Sequence, residues 1–149
     1  MRILTSLTAA ACALMAAAFL VTAAPVQAQE PNYLRALSDL RTARDYIQFD
    51  HRAEYGDERR HAIDEIDKAI AEIKRAAWDD GKNTRFAPPS GVTDPWYPLI
   101  QANRALEQAR TNISQGVDTP ENNGLRERAL MHAVAANRIV SELRRQQRQ

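Results

Sequence analysis

Cysteine is nearly missing from this chain: Cys12 is the only one in 149 residues. It sits inside an apolar leader, so the rest has no disulfide, no thiol nucleophile and no thiolate metal ligand. An excess of one charge is missing too. Lys and Arg number 20 and Asp and Glu 19, for a formal net charge of +1. That balance leaves no electrostatic footprint for nucleic acid. Alternating apolar and polar runs long enough for a sheet are absent. Hydrolase signatures are absent as well: Ser38, Ser90, Ser114 and Ser141 all stand outside any G-x-S-x-G. Neither H-x-x-x-H nor H-x-x-E-H occurs, and no E-x-x-H falls on an inward helix face. Asp64, Glu65 and Asp67 read as a solvated face. The expectation is a protein that is not an enzyme.

What is present starts with a leader, "MRILTSLTAAACALMAAAFLVTAAPVQAQE". Arg2 supplies the positive start, an apolar run reaches about Ala24, and Val26-Gln27-Ala28 offers small residues before a cut. This layout predicts a secretory signal peptide over 1–28, cleaved after Ala28. Ala9-Ala10-Ala11 put no large aliphatic residue ahead of Cys12, which argues against lipidation. The mature chain, 29–149, then suits one small domain with no membrane span, and the expected location is periplasmic or secreted.

The apolar spacing of that domain is helical. In "DERRHAIDEIDKAIAEIKRAAW", Ile63, Ile66, Ile70, Ile73 and Ala77 step by three and four. Ala62, Ala69 and Ala76 flank this stripe and let a neighbouring helix come close. Asp64 with Lys68, and Glu72 with Arg75, are spaced to pair on the outer face. Tyr33, Ala36, Leu40, Ala43 and Ile47 form one further stripe, and Leu99, Ala102, Leu106, Ala109 and Ile113 another. Both contain L-x-x-A-R-x-x-I, at Leu40–Ile47 and at Leu106–Ile113. A fourth stripe runs through Leu125, Ala129, Ala133, Ala136, Val140 and Leu143, and its "SELRR" echoes "AEIKR". The chain therefore reads as two similar helical hairpins.

Boundaries follow from capping chemistry. Asp57 is placed to cap the second helix, and Asp94 before Pro95 the third. Thr119-Pro120 and Asn123 compete for the start of the fourth. In "AAWDDGKN", Gly81 suits the left-handed residue that ends a helix. Asp79 and Asp80 are expected to bond the loop over 81–94, and the basic tail over 146–149 to fray. Short connections favour antiparallel neighbours, so the predicted fold is an all-α, up-down-up-down four-helix bundle made of two hairpins.

That topology would gather Trp78, Asp79, Asp80, Lys82, Asn83, Phe86, Trp96 and Tyr97 at one end. Their aromatic rings either plug the bundle or form an exposed patch that meets a partner. The opposite end would hold His51, His61 and His132 near Asp50, Glu54, Asp57, Glu58, Asp118 and Glu121. Imidazole with carboxylate suits Zn, Cu or Ni.

The stretches "YLRALSDLRTAR", "AIDEIDKAIAEIKRAAWDDGKN" and "GLRERALMHAV" resemble a group of small secreted proteins of Gram-negative bacteria to which no activity is attached. A-L-S-D-L-R, E-I-D-x-A-I-x-E-I-K and D-D-G-K-N are the specific pieces. The resemblance implies a helical bundle and export. A more remote similarity is to small periplasmic four-helix metal-binding proteins built from His-bearing helices. The functional expectation is an exported, non-enzymatic protein acting through protein contacts, without cofactor. The alternative is weak binding or buffering of a transition metal in the periplasm.

Overall fold

Four helices are found in a computed structural model that describes residues 32–50, 56–79, 81, 83–86, 90, 97–116 and 123–148. They are α1 (Asn32–Phe49), α2 (Gly56–Asp79), α3 (Pro98–Ser114) and α4 (Asn123–Gln146), with a 3-10 turn at Thr84–Phe86. No strand occurs among the described residues. The fold is all-α, as the periodicity predicts. The leader over 1–28 lies outside the described residues.

Every residue of the predicted α1, α3 and α4 stripes is buried. On α2 the buried face is centred slightly differently. Ile66, Ile73, Ala62, Ala69 and Ala76 are fully covered, whereas Ile63 is only partly buried and packs on the edge of the core. The small residues thus sit at the seam, where they allow close approach. Each fully buried Leu or Ile contributes about 1.5–3 kcal/mol by leaving water.

Side-chain contacts fix the helix directions. Asn32 Nδ2 donates to the Gln115 carbonyl at 2.9 Å, and Asn112 Nδ2 to Asp39 Oδ2 at 2.8 Å. The start of α1 therefore lies beside the end of α3, and the two run antiparallel. Arg128 meets Glu72 and His132 meets Glu65, so α2 and α4 are antiparallel as well. Asn137 with Glu107, and Ser141 with Asn103, give the same relation between α3 and α4. Arg44 and Asp67 join α1 to α2 at 2.8 Å. Alternation holds within each hairpin but not between them, and the directions run up-down-down-up. The two L-x-x-A-R-x-x-I segments share the α1/α3 seam.

The connection from Asp79 to Pro98 explains this departure from up-down-up-down. At 1.5 Å per residue α2 is ~36 Å long, a span that about eleven extended residues cover. The connection is long enough to join opposite ends of the bundle, and it does. Its turn at Thr84–Phe86 touches α1 and α2. Ser90 Oγ then donates to Asp39 Oδ1 at 2.8 Å, near the middle of α1.

The ends of the helices differ in detail from the predicted caps. Gly81 has φ 67° and its N–H donates to the Trp78 carbonyl at 2.9 Å, the expected left-handed stop. Asp57 is not a cap: α2 begins at Gly56, and Asp57 lies in its first turn, paired with Arg60. Its charge suits the positive end of the helix dipole there. The third helix begins later than Pro95, with Tyr97 at its N-cap and Pro98 as the first helical residue. The fourth begins at Asn123. Backbone hydrogen bonding continues past the end of α4 at 147–148. Gln147 and Arg148 donate backbone bonds to Leu143 and Arg145, and the Gln147 amide reaches Asp50 Oδ2 at 3.2 Å. Where α3 ends, buried Arg126 donates to the Ile113 carbonyl. Gly116 leaves room for it, since a Cβ there would lie 3.0 Å from Arg126 Nε.

Candidate contact surface

The lengthwise connection divides the predicted contact surface. Trp78, Asp79 and Asn83 stand where α2 ends, beside the start of α1. Tyr97 stands at the other end, beside the last turn of α4. Asp80, Lys82, Trp96 and the side chain of Phe86 lie outside the described residues.

Neither described aromatic plugs the bundle. Trp78 is 81% exposed and Tyr97 73%. The core is filled without them by aliphatic side chains, alanines and Tyr33. A groove of about 570 Å³ opens beside Trp78, lined also by Lys74, Gly81, Asn83, Thr84 and Arg85. Its rim is shaped locally. Asn83 Oδ1 accepts the Arg85 backbone N–H at 2.9 Å, an Asx turn that sets the direction of the 3-10 turn. Gly81 turns the chain away from α2, so nothing described covers the indole. Lys74 and Arg85 make no ion pair among the described residues. Asp79 is exposed. The groove therefore offers an apolar ring with two available cations.

Two predicted metal ligands approach one carboxylate, a meeting that their spacing did not suggest. Glu65, read as a solvated residue, is only 8% exposed. His132 Nδ1 lies 2.7 Å from its Oε2, and Lys68 Nζ 2.7 Å from its Oε1. His61 Nε2 is 4.0 Å away on the outer side. An ionised carboxylate only accepts hydrogen bonds, so His132 Nδ1 and Lys68 are the donors. The Lys68 bond lowers the Glu65 pKa; burial opposes that shift, and His132 adds to it. Lys68 therefore pairs within α2 to Glu65 rather than Asp64, and Glu72 pairs across to Arg128 rather than Arg75. His51 lies outside the described residues. His61 and His132 meet at Glu65 even though the fourth helix starts at the opposite end from the second. Among the described residues no group of three or more His, Cys, Asp or Glu is placed to hold a metal ion.

Comparison with protein-family models, curated proteins and solved structures gives no match.

Proposed function

We propose that the chain is an exported, non-enzymatic helical protein, periplasmic or secreted, that acts through a protein contact at the Trp78 groove. The carrying observation is a tryptophan 81% exposed beside Lys74 and Arg85, on a bundle whose core is complete without it. An exposed indole is an expensive residue to leave in water unless a partner covers it, and Trp is enriched among residues that dominate binding energy. The cations suit a partner segment that sets a carboxylate beside an apolar side chain. Export is supported by the charged start, apolar run and small-residue end over 1–28. No described helix is long and apolar enough to cross a membrane.

A photoreactive residue at Asn83, compared with one at Gln108 on the outer face of α3, tests the contact in cells that export the full chain. The expected outcome is a discrete crosslinked species from position 83 that Trp78→Ala abolishes, with none from position 108. Equal labelling from both positions, or none from either, would overturn it. Intact mass of the recovered protein tests the cut after Ala28.

A further inference from the structure

The opposite end carries a second aromatic and cationic combination, and we propose that it docks on the surface of an anionic lipid bilayer. A groove of about 350 Å³ there is lined by Tyr97, Leu99, Ile100, Arg144, Gln147 and Arg148. The Gln147 amide bonds Asp50, which places the end of α1 and its Phe49 at the same end. Phe49 is 67% exposed, and Tyr97 73%.

The cations are available. Arg44, Arg60, Arg110, Arg128 and Arg145 each hold a carboxylate. Arg144 and Arg148 hold none among the described residues. Of the acids at this end, Asp50 is buried and takes the Gln147 amide, Glu142 takes Arg145 and Asp57 takes Arg60, while Glu58 is exposed on the α2 side, beside Glu142. The groove lining itself carries two arginines and no acid, although the whole chain is close to neutral.

The charge complementarity favours phosphate: the groove is lined by two arginines and no acid, with the exposed Tyr97 ring beside them and Phe49 exposed at the same end. Aromatic rings favour the depth of lipid headgroups, and guanidinium groups pair with phosphate. Tyr97 is also held at φ 61°, a left-handed conformation that glycine adopts with less strain. Its ring is thus kept at the tip at some conformational cost while contributing little to the core.

Flotation with vesicles tests this, using protein recovered from exporting cells and one preparation method for every variant. Binding is expected to vesicles of phosphatidylglycerol and phosphatidylcholine in equal parts, and to fall at least tenfold for phosphatidylcholine alone. Arg144→Gln with Arg148→Gln should weaken it about 25-fold, each near-surface arginine being worth about fivefold. Arg35→Gln with Arg75→Gln, the same charge change toward the other end, should leave it unchanged. Tyr97→Gly should weaken it without lowering the unfolding temperature, which separates docking from folding. Equal binding to both vesicle types, no binding to either, or wild-type binding by the Arg144/Arg148 variant would overturn the proposal. Binding to polyglutamate with vesicles ignored would reassign this end to an acidic protein.

Discussion

Across the α1/α3 seam the polar centre is Asp39, which is 4% exposed and takes neutral donors, Ser90 Oγ and Asn112 Nδ2. Across the α2/α4 seam it is Glu65, which takes Lys68 and His132, with Glu72 and Arg128 joined by two bonds of 3.0 Å one or two turns away. Both seams are antiparallel and rich in alanine, and the hairpins that form them look alike in sequence. Their carboxylates respond oppositely. Burial raises the Asp39 pKa, which its hydrogen bonds and Arg35 only partly offset. Hydrogen bonds from cationic partners lower those of Glu65 and Glu72. The same helix geometry can thus hold a carboxylate that gains from protonation, where burial outweighs its neutral donors, and one that loses by it, where a cationic donor outweighs burial.

The largest expected effect checks that the two seams are equally packed. Leu106→Ala in the first and Ile73→Ala in the second should each cost about 2–5 kcal/mol in urea unfolding, through lost burial and a residual cavity. A loss below about 1 kcal/mol at either would show that its seam is not close-packed.

Acid separates the seams next. Glu65 has a folded pKa below its unfolded value, so the unfolded chain binds protons first as pH falls. Its contribution is present above the ordinary carboxylate range and is lost as pH drops through the folded value. Asp39 has a folded pKa above its unfolded value, so the native state binds its proton more readily and stability is gained as pH falls through that value. Glu65→Gln should therefore cost about 1 kcal/mol near pH 7, and the cost should shrink in acid. Asp39→Asn should do the reverse, becoming relatively more harmful in acid. Thermal unfolding from pH 7 to 3 reads both, and parallel curves would erase the distinction between the seams.

Smaller effects complete the comparison. A double-mutant cycle on Glu72 and Arg128 should give a coupling of about 0.2–1 kcal/mol, since the pair is partly exposed and salt screens it. Trp78→Ala should change stability by less than about 0.5 kcal/mol, because its ring lies outside both seams. A larger loss would mean that the indole belongs to the fold and not to a contact.

Much of the fold was legible in residue spacing. The stripes of α1, α3 and α4 are buried position for position, because a 3.6-residue period states which face leaves water. Gly81 was legible as a stop for a similarly local reason: glycine tolerates a left-handed backbone. The polar members of the seams were not. Asp39, Gln101, Arg126 and Asn137 are buried against the habit of their residue types. Glu65 looked like one of three surface acids, and only His132 and Lys68 explain its burial. The candidate surface was half legible. Trp78 and Tyr97, grouped by the sequence reading, are exposed but belong to different ends, and the exposed Phe49 carried no signal in the spacing.

The sequence by itself determined the number of helices, the buried faces of α1, α3 and α4, and the hairpin character of each pair. Those properties follow from periodicity and capping, which act over a few residues. Only the tertiary structure decided that α3 lies antiparallel to α1. An amphipathic stripe states that a face must be covered but not which neighbour covers it, and the 80–97 connection was long enough for either direction. That one choice set Glu65 against His132, divided the aromatic residues between two ends, and placed Tyr97 beside Arg144 and Arg148.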